Sequence, residues 1–122
     1  MLKFIKFASV PVYSQDRALD FYVGKLGFQL PNAGPVGEPM HWVELTLPSA
    51  QTRLLFVNRP DEIPSPTPSL VIIADDVRAT YSDLLSKGVK FSQGPAEAHW
   101  EPGSTFALFN DTEGNLIVLA DA

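Results

Sequence analysis

The sequence predicts an α+β fold built from two tandem β-α-β-β-β modules. Three observations carry that expectation. Two amphipathic helical segments occupy matching places in the two halves of the 122-residue chain, apolar strand-like stretches are arranged the same way around both, and a proline-rich connector lies between the halves. The length suits one domain, and folding at this size buries roughly two-thirds of the unfolded surface. The expected organisation is a single domain over 1–122, with a first module over about 1–58, a connector over 59–68 and a second module over about 69–122.

The first strand is read over 4–12. Ser14 then N-caps a helix over 15–25, with Leu19, Tyr22 and Leu26 at helical spacing. Gly24 inside that helix costs about 1 kcal/mol relative to Ala. Gly27 stands where a left-handed C-terminal stop belongs, and Phe28, Gln29 and Leu30 resume an extended course. Strands over 41–47 and 53–58 follow, split by the turn composition of Pro48, Ser49, Ala50 and Gln51. Four prolines in the connector, Pro60, Pro64, Pro66 and Pro68, remove backbone donors and fix φ, which makes it stiff and extended.

The second half repeats the plan. A strand over 70–74 leads to Asp75 or Asp76 as N-cap of a helix over 77–87, whose apolar residues Val77, Tyr81, Leu84 and Leu85 follow the helical period. Gly88 stops it as Gly27 stops the first, and Val89, Lys90 and Phe91 extend again. Strands over 105–110 and 116–120 close the module around the turn at 111–115. The halves are offset by about 62 residues, the mark of an internal duplication. Pro/Gly-rich stretches over 31–39 and 94–103 hold matching places and are candidate lids.

Composition excludes several chemistries. With no Cys there is no disulfide framework, thiolate metal site or cysteine nucleophile, and two His leave little for a histidine-based metal centre. No apolar run approaches the ~20 residues of a spanning helix, and residues 1–7 do not make a signal peptide, so the expected setting is the cytoplasm. Nine basic against fourteen acidic residues give a net charge of −5, with the basic residues scattered. That argues against nucleic acid and leans toward a cationic or neutral small ligand. Neither a nucleophile elbow nor a phosphate-cradling glycine loop occurs.

The residues Val12, Tyr13, Ser14, Gln15, Asp16, Arg17, Ala18, Leu19, Asp20, Phe21 and Tyr22, followed by Leu26, Gly27 and Phe28, are similar to the first helix signature of the vicinal-oxygen-chelate superfamily. That family includes glyoxalase I, bleomycin-resistance proteins, fosfomycin-resistance enzymes and extradiol dioxygenases. Asp75, Asp76 and Val77 open the second helix in the same style. Asp111, Thr112, Glu113, Gly114 and Asn115 resemble the family's Asp-Pro-Asp-Gly-Asn turn, with Thr112 and Glu113 departing from it. The resemblance covers nearly the whole chain. It implies a mixed sheet curled into a cup, helices on the convex side, a ligand on the concave face and a homodimer.

In the family's metalloenzymes, the first and last strands of each module supply four ligands to a divalent ion. Carried over at the 62-residue offset, those positions fall on Phe7, Phe56, Ser69 and Val118. Three hydrocarbons and one hydroxyl cannot make a site for a hard cation or for zinc, so no metal and no cofactor is expected. Alternation along the strands then puts Ser9, Trp42, Glu44 and Phe106 with those four on the concave side. His41 and Trp100 join them as candidate ligand-binding residues near the lids.

Glu44 has two readings: an inward carboxylate that binds a cation or serves as general base, or a structural carboxylate paired with Arg53 or a backbone donor. The His41–Trp42 and His99–Trp100 pairs read either as stacking and proton-carrying groups or as strand-edge and core-closing residues. A relocated metal site from His41, His99, Glu44 and Glu101 has no spacing that sets a ligand geometry. The former metal pocket could also be packed as core. Two functions follow: a metal-free protein that binds a small organic, cationic or neutral, molecule in the groove, and a metal-independent lyase or isomerase that uses Glu44 to move protons.

Overall fold

A computed structural model describes residues 1–31, 43–58 and 67–121. The chain divides into two compact units, Met1–Glu62 and Ile63–Ala122. Of the connector expected over 59–68, residues 59–66 lie outside the described residues, as do His41, Trp42 and most of the first candidate lid.

The first unit runs β1 (Phe7–Val12), α1 (Gln15–Tyr22), β2 (Glu44–Leu45) and β3 (Arg53–Asn58). Its sheet has the order β1-β3-β2, with β1 parallel and β2 antiparallel to β3. The strand expected after α1 is reduced to an isolated bridge between Gln29 and Thr46. The second unit runs β4 (Leu70–Ile73), α2 (Val77–Ser86), β5 (Phe91–Glu97), β6 (Thr105–Asn110) and β7 (Leu116–Ala120), in the sheet order β4-β7-β6-β5. In both units the first and last strands pair in parallel, and the strand before the last pairs antiparallel to it. The duplication expected from the sequence is thus visible in the ladders of both units.

Both helices start where a side-chain cap is available. Ser14 sits in extended backbone and its hydroxyl accepts from the Arg17 N–H at 3.2 Å. Asp76, not Asp75, caps α2, its carboxylate accepting from the Ala79 N–H at 3.0 Å. α2 ends in a Schellman motif: Val89 N–H bonds the Leu84 carbonyl and Gly88 N–H the Leu85 carbonyl, with Gly88 at φ +87°.

α1 closes at Tyr22, three residues earlier than the sequence suggests. Leu26 N–H reaches back five residues to Phe21 and Phe28 N–H six to Tyr22, so the last turn widens around Gly27 at φ +85°. Gly24 is required there, since a Cβ would stand 2.4 Å from the Asp20 carbonyl oxygen. Among the described residues no helix is long and apolar enough to cross a membrane.

Each helix covers one face of its own sheet. In the first unit Tyr22, fully buried on α1, meets Phe28 and Phe56 edge-on at centroid distances of 5.8 and 5.6 Å. Val10, Val12, Val43, Leu45, Leu54 and Phe56 are buried on this side. In the second unit α2 packs on β5 and β6, and Tyr81, Phe91 and Phe109 stack in series over buried Ala107, Ile117 and Leu119. Leu85, expected on the apolar helix face, is 45% exposed.

The turn at 111–115 is held from within. The Asp111 carboxylate accepts from the backbone N–H groups of Glu113 and Asn115 and from the Asn115 side-chain amide, each at 2.8 Å. Asp111, Glu113 and Asn115 are all buried. The departures at Thr112 and Glu113 leave this bonding intact, with the Thr112 hydroxyl donating to the Glu113 carboxylate at 2.7 Å.

Candidate functional site

Cross-strand neighbours share a face of the sheet, so the ladders decide which side chains stand opposite the helices. In the first unit Phe7 pairs with Arg53, Ser9 with Leu55 and Leu55 with Glu44. Phe7, Ser9, Glu44, Arg53 and Leu55 therefore stand on the face away from Tyr22. The Glu44 carboxylate is not open-ended. Arg53 Nη1 donates to its Oε2 at 2.9 Å, with the two side chains 23% and 42% exposed. The pair closes the diagonal between β2 and β3. Lys6 lies over the Phe7 ring at 5.3 Å.

Phe56 does not belong to this face. It pairs with Val10, is 5% exposed and packs edge-on against Tyr22, so it is core on the helix side. Leu54, two residues away on the same side of the strand, is likewise buried core. The error is one residue of register, which in a strand reverses every side chain. Ser9 pairs with Leu55 as Val71 pairs with Val118, so the first-unit counterpart of Val118 is Leu55, not Phe56. A constant offset of 62 residues cannot serve both strands, because the loops before them differ in length. The four corresponding positions are Phe7, Leu55, Ser69 and Val118.

That set still offers one hydroxyl and three hydrocarbons, which does not fit a divalent ion. Among the described residues no group of three or more His, Asp or Glu is placed to hold a metal. The relocated cluster with His41 lies partly outside the described residues.

In the second unit two cross-strand rows face away from α2. Val71, Val118 and Leu108 form one row across β4, β7 and β6; Ile73, Ala120 and Phe106 form the next. Ser69 is exposed at the mouth of β4, its N–H donating to the Leu116 carbonyl at 2.8 Å. Val71 is 62% and Ile73 54% exposed, an unusual state for such residues in consecutive outward positions.

Trp100 leans on Phe106 at 4.8 Å and holds His99 edge-on at 5.2 Å, while remaining 54% exposed. It sits at the tip of the β5–β6 hairpin loop, which is tied by Ala98 N–H to Ser104, Glu101 N–H to Ala98 and Ser104 N–H to Glu101 carbonyl bonds. The second candidate lid is therefore part strand: residues 94–97 belong to β5, whose pairing with β6 has two register shifts, and only 98–104 form a loop. Pro95 lies within the second of those shifts, between Gln93 and Ala96, where a missing donor is tolerated.

Beside the Ile73–Ala120–Phe106 row opens a cleft of about 520 Å³. Asp75, Glu101, Ser104 and Asp121 supply its polar wall and Ile73 its apolar edge. The Ser104 hydroxyl and the Thr105 N–H both donate to Asp121 Oδ1, the latter at 2.9 Å. The first of these bonds, then the second, holds the Asp121 carboxyl below its ordinary pKa. Sequence reasoning missed this cleft, since its walls come from three separated segments and no local motif marks it.

Comparison with known proteins places this geometry. The family model of the Glyoxalase/Bleomycin resistance protein/Dioxygenase superfamily matches residues 4–119. The chain is 30% identical over 123 residues to YetH of Bacillus subtilis, covering 99% of this chain and all of that one. It resembles the crystal structure of a superfamily member from Sphaerobacter thermophilus (TM-score 0.83, 27% identity, 99% and 98% of the two chains). It also resembles TnmS3, an antibiotic binding protein from Streptomyces sp. CB03234 (TM-score 0.80, 32% identity, 98% and 96% of the chains).

Proposed function

Because the chain belongs to the glyoxalase/bleomycin resistance protein/dioxygenase superfamily, we propose that it binds a small organic molecule against the open faces of its sheets without a metal. The observation that carries this reading is the second unit's open face, where Val71, Ile73 and Trp100 stay largely exposed around a floor of Val118 and Ala120. Such a surface gains by being covered, roughly 25 cal/mol for each Å² of apolar area removed from water. The likeness to an antibiotic binding protein supports sequestration as the outcome. The hydrocarbon character of Phe7, Leu55 and Val118 supports binding without metal chemistry.

In this reading the two units are modules of one domain, and the protein works as a homodimer in the cytoplasm. Phe7, Ser9, His41, Trp42, Glu44, Ser69, Trp100, Phe106 and Val118 remain the contact residues, with Leu55 in place of Phe56. The alternative, proton transfer by Glu44, has weaker support, because the Arg53 guanidinium on Oε2 already balances the carboxylate's charge. A thermal-shift screen of drugs and metabolites, run with elemental analysis of the purified protein, tests the proposal. Ligands that raise Tm in a protein with no stoichiometric metal are expected. A screen without a single stabilising compound, or one equivalent of a transition metal bound, overturns it.

A further inference from the structure

We infer that the first unit's open face binds an apolar monocarboxylic acid, its carboxylate held by Arg53 and Lys6 and its body lying over Leu55 and Val57. This rests on the small-molecule reading above and names a ligand class for the first unit. The β1–β3 ladder sets three outward rows in order along the strands: Phe7 with Arg53, Ser9 with Leu55, and Pro11 with Val57. Ser9 is exposed and the other five are only partly buried, so the face is open to a ligand. Same-face residues lie about 6.6 Å apart along a strand. The three rows therefore run roughly 13 Å from a charged end to an apolar one.

Arg53 is held in place with most of its donors unused. Its Nη1 donates to Glu44 at 2.9 Å, and among the described residues nothing engages Nε or Nη2. A guanidinium carries five N–H donors in a fixed fork that matches a carboxylate, and this side chain is 42% exposed. Because Glu44 already orients it, less rotamer freedom is lost on binding. The Lys6 ammonium lies over the ring of Phe7, the cross-strand neighbour of Arg53, and has no ion pair among the described residues. Two cations against the single carboxylate of Glu44 leave this end of the face positive.

The acidity of the chain does not oppose an anion here, because its charge is unevenly divided. The first unit balances six basic against six acidic residues, so the whole net charge of −5 lies in the second. Within residues 1–31 and 43–58 the count is five basic against three acidic. A neutral ligand uses the apolar rows alone. An acid of matching length uses the rows and the cations together, and an amine meets repulsion from both cations.

Isothermal calorimetry on the full chain at pH 7.5 tests this with three probes of one shape: 6-phenylhexanoate, 6-phenylhexanamide and 6-phenylhexylamine. The acid is expected to bind about tenfold more tightly than the amide, a ratio in keeping with a charge-assisted fork at a half-exposed site. High salt is expected to reduce that advantage, and the amine to bind weakest. Arg53→Met removes the cation but keeps an apolar stem. It is expected to lose the acid's advantage while keeping its amide affinity, which also shows that it is folded. Lys6→Met, at an exposed position, is expected to lose part of the advantage with no change in Tm. Leu55→Ala is expected to weaken acid and amide alike.

Equal affinities for acid and amide, tightest binding of the amine, or an advantage that survives in Arg53→Met overturns the assignment. If no probe binds while other compounds raise Tm, the ligand class is wrong and the small-molecule reading stands. If no compound raises Tm, that reading falls with it.

Discussion

Replacing Phe56 by Ala separates the two possible faces of β3 by energy. Phe56 is 5% exposed and meets the fully buried Tyr22 edge-on at 5.6 Å. Truncating a buried Phe to Ala costs about 3–5 kcal/mol, through lost transfer energy and the cavity left behind. The edge-on ring contact accounts for about 1 kcal/mol of that. For a domain of this size each kcal/mol moves Tm by roughly 3–6 °C, so Phe56→Ala is expected to lower Tm by some 10–25 °C.

Leu55, one residue earlier and only partly buried on the opposite face, gives a different result. Leu55→Ala is expected to cost about 1 kcal/mol or less, within the ordinary range for positions outside the core. Urea unfolding of both variants, with unchanged slope, is the assay, and ligand binding is the second readout. A Phe56→Ala protein as stable as the parent but impaired in binding would refute the register assigned here, and with it the exchange of Phe56 for Leu55.

Three further outcomes follow from the polar groups. Asp111→Ala removes the acceptor for three 2.8 Å bonds in a buried turn and is expected to cost about 3–4 kcal/mol, with Asp111→Asn intermediate; equal stability in chemical denaturation would contradict that role. Because hydrogen bonds lower the folded-state pKa of Asp121, its contribution is complete above the unfolded value and lost as pH falls through the folded one. Ser104→Ala should flatten the fall in Tm on acidification below the ordinary carboxylate range, and an unchanged profile would count against the assignment. The Glu44–Arg53 pair is partly exposed, so Arg53→Met is expected to cost less than about 1 kcal/mol. A loss of several kcal/mol in that variant would show that the pair carries structural weight that its exposure does not predict.

The sequence alone determined what local chemistry determines. Ser14 and Asp76 cap because their short oxygen side chains reach the third N–H of the following turn, and Gly27 and Gly88 stop because they alone take positive φ without strain. The bounds of β3, β6 and β7, fixed by apolar runs between turn residues, were legible for the same reason. So was the family, which rests on several such signals in order.

Tertiary structure decided register and convergence. An alternating strand reads equally well with either set facing inward, and only the pairing of Ser9 with Leu55 and the packing of Phe56 on Tyr22 chose between them. Similarly, Arg53 and a backbone donor were equal candidates for Glu44 until β2 was laid antiparallel beside β3. The cleft between Asp75, Glu101 and Asp121 has no sequence signature, because residues from three segments meet only when β4, β6 and β7 pair. Local rules fix which elements form. The faces they present depend on contacts between residues far apart in the chain, which no single stretch encodes.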